Sequence, residues 1–276
     1  MKVQTLRQKS RASLSGNKEE GRRNIKITVE YDGSRYAGWQ VQNGHKVATI
    51  QEMLESALRK ILHTNTKVIV SGRTDAGVHA WAQVANFKTD SAIPLERFPL
   101  AINAFLPEDI AVTGIEEKSP DFHSRFSARS KVYRYLILNR PYRSALLRDF
   151  VLQYPYPLDV GLMRREARVL VGRHDFKAFC ASGTRVKDTL RTISRITITR
   201  PRSCCLVSLA GDIVSIEIEA DGFLYTMVRS IVGTLLQVGR HTLAKGGLKR
   251  ILLSKDRRMA GPAVSGQGLC LVKVRY

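Results

Sequence analysis

Apolar and polar residues alternate through "NIKITVEYD". Ile25, Ile27, Val29 and Tyr31 fall on one face, and Lys26, Thr28 and Glu30 on the other. A period of two predicts a half-buried strand. The period then lengthens: Ile50, Met53, Leu54, Ala57, Leu58 and Ile61 recur at helical spacing. Thr49, with Glu52 three residues on, predicts a capping box at the start of that helix. "KVIVS" and "QVANF" read as short strands on either side of a Gly-containing loop. "LERFPLAINAFLP" reads as a helical segment begun or interrupted at Pro99, and "DIAVTGIEE" as a further strand. The first half therefore runs strand, helix, strand, strand, helix, strand.

The second half repeats that logic. "KVYRYLILN" predicts a strand and "LDVGLMRREARVLVG" a helix. "TISRITIT", "CLVSLA" and "IVSIEIEA" predict strands, the last two a hairpin across Gly211–Asp212. In "LYTMVRSIVGTLLQVG", Met227, Val228, Ile231, Val232, Leu235 and Leu236 form the apolar stripe of a helix. A short helix near 247–253 and a last strand, "LCLVKVRY", follow. Antiparallel strands with inserted helices predict an α+β fold rather than a doubly wound sheet. The shared order of elements points to a duplicated unit with a site in the cleft between its halves. The expected division is a basic disordered tail over residues 1–23, one α+β domain over 24–120 and a second over 121–276.

Charge narrows the partner. The 276 residues carry 45 Lys and Arg against 24 Asp and Glu, a net +21. Residues 1–23 hold seven of the cations against Glu19 and Glu20, a net +5, so +16 remains with the body. An excess of that size implies a polyanionic partner, nucleic acid before a membrane surface. No apolar run reaches membrane-spanning length; "IVGTLLQVG" is too short. Cys180, Cys204, Cys205 and Cys270 form no C-x-x-C, so neither a zinc site nor a disulfide framework is expected, and reduced cytosolic thiols are. The six histidines contain no H-x-x-x-H pair, so no structural metal is expected. The tail is polar and basic; Glu19 and Glu20 argue against an organellar presequence.

The candidate chemistry centres on "SGRTDAGVHA", Ser71 to Ala80. Gly72 and Gly77 have the spacing of a phosphate-cradling loop, but Val78 and His79 stand where Lys and a hydroxyl residue are required. On its own "TDAG" is a good turn, since Asp75 tolerates turn geometry and Gly77 supplies a positive φ. Three other stretches change that reading. "KVYRY" puts Tyr133 and Tyr135 on one face of a strand, interleaved with basic residues, as a nucleobase site requires. "GFLYTMVRSIVG" sets Arg229 at the edge of an apolar stripe, where it must snorkel or pair with a carboxylate, and Gly233 one turn on leaves room beside it. "FHSRFSARSKVYRY" is basic and aromatic where the halves meet. Two rival readings remain open from the residues alone. Glu217 and Glu219, two apart on a strand, could serve a two-carboxylate hydrolase, although a solvated strand face explains them better. An RNA-binding module with a purely structural Asp75 also accounts for the charge.

These stretches, with "YDGSRYAGWQVQ" and "GRHDFKAFCA", resemble the tRNA pseudouridine synthase A family over about Ile25 to Tyr276. The resemblance implies that Asp75 is the catalytic aspartate of a Gly-Arg-Thr-Asp-x-Gly-Val-His motif. It implies that Arg229 salt-bridges Asp75, that Tyr133 packs against the target uracil, and that Arg73 attends the flipped nucleotide. It further implies isomerisation of uridine to pseudouridine at positions 38, 39 and 40 of the tRNA anticodon stem-loop, two ferredoxin-like halves, a homodimer, a cytoplasmic location and no cofactor. A different tRNA target position is the alternative within the same chemistry. The chain departs from the family pattern at Ala82, usually Gly, at Ser230, usually Asn after Met-Val-Arg, and in "AGPAVSGQGL", which lacks Thr-Ala-Pro. None of these is one of the four implied site residues.

Overall fold

In the computed structural model, which describes residues 22–41, 47–184, 186–201 and 211–276, alternation along the chain becomes burial. Ile25, Ile27 and Val29 of β1 (Arg23–Tyr31) are fully buried. The next helix, α1 (Ile50–Leu62), opens on the expected capping box. The Glu52 N–H donates to Thr49 Oγ1 at 3.3 Å, and the Glu52 carboxylate accepts from the Thr49 N–H at 2.8 Å. β2 (Ile69–Val70) and β3 (His79–Thr89) flank the glycine-containing loop. A single 3-10 turn precedes α2 (Phe98–Asn103), where Pro99 sits in the first turn and its missing N–H costs nothing. β4 (Ile110–Lys118) completes the first half.

The second half supplies β5 (Ser130–Leu138), β6 (Leu152–Gln153), α3 (Val160–Ala167), β7 (Gly172–Asp175), β8 (Leu190–Thr199), β9 (Ile213–Ala220), α4 (Met227–Gly239), α5 (Gly247–Ser254) and β10 (Leu269–Arg275). α4 carries the densest apolar stripe. Ile231, Val232 and Leu235 are fully buried, and each such side chain stabilises the fold by about 1.5–3 kcal/mol.

The strands form one sheet in the order β4-β1-β3-β10-β5-β9-β8-β7, with β2 on β3 and β6 on β5. The main path is antiparallel except at β3–β10, where Cys270 and Leu271 pair in parallel with His79 and Ala80. The architecture is therefore mixed α+β on a mostly antiparallel sheet. Within the first half the order is β4-β1-β3-β2, and within the second it is β10-β5-β9-β8.

Three details differ from the sequence reading. β1 starts at Arg23, and Arg22 and Arg23 pair with Asp90 and Glu117, so the fold already holds both residues. β6 and β7 were not expected, because two- and four-residue strands show no period. The helix over "LDVGLMRREARVLVG" is shorter than its pattern: α3 ends at Ala167 and a 3-10 turn, Arg168–Leu170, follows. "CLVSLA", Cys204, Cys205 and residues 1–21 lie outside the described residues. No described helix is long and apolar enough to cross a membrane. Cys180 and Cys270 are free thiols.

Candidate active site

The loop from Ser71 to Val78 answers the question its sequence poses. The Val78 N–H donates to the Asp75 carbonyl at 3.2 Å, and Gly77 has φ +73°. Asp75 therefore opens a turn that only a residue tolerating the left-handed region can close. Its carboxylate remains free to face a cleft. Turn residue and candidate chemical group are the same residue.

A buried polar web fixes that loop. Gln83 Nε2 donates to the Gly72 carbonyl at 2.9 Å, and Ser71 Oγ donates to Gln83 Oε1 at 2.8 Å. The Tyr31 hydroxyl and Thr74 Oγ1 lie 2.8 Å apart, and the Trp39 N–H donates to the Thr74 carbonyl at 3.0 Å. Burial drives the Tyr31 phenol well above its usual range, so it stays neutral. Behind the loop, His79 is 5% exposed. Its Nδ1 accepts from the Gly33 N–H at 3.1 Å, leaving Nε2–H to donate to the carbonyls of Asp149 and Gln267 at 2.9 and 3.0 Å. This histidine ties three segments together rather than facing substrate.

The cleft has a volume of about 1630 Å³ and is lined from both halves. Arg229, in the first turn of α4, crosses it. Arg229 Nη1 donates to Asp75 Oδ2 at 2.9 Å, and its Nε donates to the Val264 carbonyl at 2.6 Å. Both side chains of the pair are 20% exposed. Gly233 does not leave room beside Arg229, as its spacing had suggested. A Cβ there would lie 1.9 Å from the Pro262 carbonyl oxygen, so the glycine admits the strap through Pro262 and Val264. That strap in turn holds the arginine.

Tyr133 lines the same cleft, 7% exposed, with its ring edge-to-face with Phe223 at 5.0 Å. Its hydroxyl has no hydrogen-bond partner among the described residues. Burial first, then the neighbouring Tyr31 phenol and the Asp75 carboxylate, hold its phenol far above the usual range. Tyr135 shares the strand face but is fully buried and donates to the Ser265 carbonyl at 2.9 Å. Arg73 is exposed in the cleft, and no described carboxylate pairs with it. The four residues singled out in the sequence thus meet in one place. Glu217 and Glu219 do not: they lie on the other sheet face, where Glu217 pairs with Arg134 and Arg195 and Glu219 with Arg275. That is the solvated ion-pair ladder of the bland reading. Among the described residues no group of three or more His, Cys, Asp or Glu could hold a metal.

Sequence reasoning missed Gln83, Tyr31 and Lys131. Gln83 had a readable signal: it is a polar residue flanked by small and apolar ones inside "HAWAQVANF", and it is fully buried. Lys131 lies five residues beyond the aromatic motif "FHSRF" and also lines the cleft.

A basic cleft of this shape, with a clamped carboxylate at its floor and rings beside it, belongs to an enzyme that works on a nucleic-acid base. Comparison with known proteins gives the family. A profile described as tRNA pseudouridine synthase matches residues 27–127 and 167–276. The tRNA pseudouridine synthase A of Thermoanaerobacter sp. (strain X514) is 44% identical over 92% of this chain and 100% of its own length. That of Caldicellulosiruptor bescii is 45% identical over the same shares. A solved structure titled "Crystal Structure of a Cbf5-Nop10-Gar1 Complex" aligns at 15% identity and a TM-score of 0.30, over 76% of this chain and 54% of that one, a likeness too remote to bear on the site. The chain belongs to the tRNA pseudouridine synthase family, isomerases that make pseudouridine in tRNA.

Proposed function

We propose that this synthase modifies uridines 38, 39 and 40 in the anticodon stem-loop of tRNA, with Asp75 as nucleophile. The observation that carries the reading is the Asp75–Arg229 contact at the floor of a cleft rich in arginine. Pseudouridine formation breaks the N1–C1′ bond, turns the uracil and rejoins it to C1′ through C5, with loss of the C5 proton and gain of a proton at N1. A carboxylate starts this by attacking C1′ or the ring. The uracil leaves as a stabilised anion, so no second carboxyl group is needed as acid, unlike in a glycosidase.

Arg229 serves two ends. It orients Oδ2 by a charge-assisted hydrogen bond, and it offsets repulsion between the carboxylate and nearby phosphates. Tyr133 holds the detached ring by stacking, its own orientation set by Phe223. As a neutral phenol it offers a proton rather than taking one. Arg73 attends the extruded nucleotide, whose removal from the stem costs a few kcal/mol.

The reading extends to organisation. Two ferredoxin-like units over residues 24–120 and 121–276 are supported by the strand orders β4-β1-β3-β2 and, with the short β6 and β7 set aside, β10-β5-β9-β8, each with its last strand beside its first, then its third, then its second. The protein acts as a cytoplasmic homodimer without a cofactor.

The test is direct. A tRNA transcript with uridine at 38, 39 and 40 is incubated with the wild-type protein or Asp75→Asn, and pseudouridine is mapped position by position. Wild type converts these sites and Asp75→Asn converts none. Conversion elsewhere in the tRNA, or an active Asp75→Asn, overturns the assignment.

A further inference from the structure

Lys131 is the one lysine on the face of β5 that turns into the cleft, two residues before Tyr133. It is half-buried, and no carboxylate among the described residues pairs with its ammonium. The company it keeps is cationic. Arg125 precedes it on the approach to β5, Arg191 faces it from β8, and Arg73 and Arg173 line the same wall. The acids of the cleft are engaged elsewhere. Asp75 is held by Arg229 at 2.9 Å, Asp188 lies 4.0 Å from Arg191, and Asp221 accepts from the Thr192 N–H at 3.0 Å. The ammonium also sits against the candidate loop: a Cβ on Gly72 would lie 3.0 Å from Lys131 Nζ. The glycine therefore leaves the cation its place, three residues before Asp75.

A half-buried cation among other cations, with no carboxylate among the described residues to neutralise it, is costly on its own. Such an arrangement makes physical sense when an anion arrives. We infer that Lys131 receives a backbone phosphate of the substrate RNA beside the nucleotide presented to Asp75, and so positions that nucleotide for reaction. The inference rests on the reading of this cleft as the RNA site, and it concerns binding rather than the chemical step.

The cationic surroundings leave a signature. Burial, then the charges of Arg125 and Arg191, push the Lys131 ammonium down to about 8. A bound phosphate favours the charged form and raises that value. The protein competent to bind is then the protonated one, and it becomes scarce as pH rises through about 8. Apparent Kd for tRNA should weaken about tenfold between pH 7 and pH 9. Arginine stays charged throughout, so Lys131→Arg should remove that dependence while keeping affinity at pH 7.

The experiment measures equilibrium binding of an unmodified tRNA transcript to the full chain carrying Asp75→Asn, so that no product forms. Three proteins are compared: this parent, the parent with Lys131→Arg, and the parent with Lys131→Met. The expected results are a pH dependence present in the parent and flat in Lys131→Arg. Lys131→Met should bind about ten- to a hundredfold more weakly, with a salt slope reduced by about 0.7–0.9, one phosphate's worth. Equal pH dependence in the parent and Lys131→Arg, or an unchanged salt slope in Lys131→Met, overturns the inference. Should Lys131→Met fail to fold, the Lys131→Arg comparison decides alone. Failure here leaves the mapped products of the wild-type enzyme untouched, so the two readings fail separately.

Discussion

Arg229 and Asp75 are 154 residues apart in the chain and 2.9 Å apart in the fold. Each group is held by its own half, and the pair forms only where the two halves meet. The carboxylate rides on a turn after β2, and the guanidinium on the first turn of α4, pinned from behind by the Val264 carbonyl.

Arg229→Met should therefore slow the reaction far more than it weakens tRNA binding. Removing one partner of a fully buried pair costs about 3–5 kcal/mol; with both side chains 20% exposed, the loss of stability here should fall below that range. Single-turnover rates should drop by at least about a hundredfold, as misplacement of a reacting group by about 1 Å can do. Arg229→Lys should recover only part of this, because one ammonium cannot reproduce the planar fork that reaches both Asp75 and Val264. A rate within threefold of wild type for Arg229→Met would contradict the pairing.

The pH profile separates Tyr133 from a role as a base. Its phenol is raised far above the usual range by burial, so it is protonated throughout pH 6–9. Its ionisation cannot shape the rate in that window. Tyr133→Phe should accordingly give a pH–rate curve of unchanged form, while Tyr133→Ala, which loses the ring, should lower the rate at every pH. A basic limb that vanishes in Tyr133→Phe would assign the proton transfer to this hydroxyl after all.

Gln83 makes no contact with the proposed substrate, yet it should matter. Gln83→Ala strands the part-buried Gly72 carbonyl and the buried Ser71 hydroxyl, at about 1–3 kcal/mol each where water does not replace the bond. Denaturant unfolding should show a loss of about 2–4 kcal/mol. The rate constant should fall while tRNA affinity stays within a few-fold, since the loop that carries Asp75 loosens and the basic surface does not change.

Ser230 offers the opposite sign. Its Oγ is buried in α4 without a partner among the described residues. Ser230→Ala removes an unsatisfied hydroxyl and improves helix propensity, so thermal unfolding should shift upward by the equivalent of about 0.5–1 kcal/mol with activity retained. A markedly less stable variant would show that the hydroxyl has a partner in solution.

Much of this was legible in the chain because the signals are local. The Thr49–Glu52 box, the stripe of α4 and the turn at Asp75 are set by residues within a few positions of one another. Tyr133 was separated from Tyr135 only by the fold, because alternation gives both the same face and only the strand's depth decides which one meets the cleft. Gly233 was misread for a similar reason. The need for a small residue was plain, but the backbone that approaches it comes from Pro262, beyond the reach of any helical period. Short strands such as β6 and β7 exist through their neighbours rather than through pattern. The sheet passes from one half to the other through two residue pairs between β3 and β10 that no local rule predicts.

That junction also sets an order of events during synthesis. β10 is the last described strand to be made, and it lies between β3 and β5, both translated long before. A chain ending at residue 268 would hold two partial sheets with no strand pairing between them, and Leu269 would be missing from the cleft wall. The sheet behind the site becomes continuous from one half to the other only with that one strand in place.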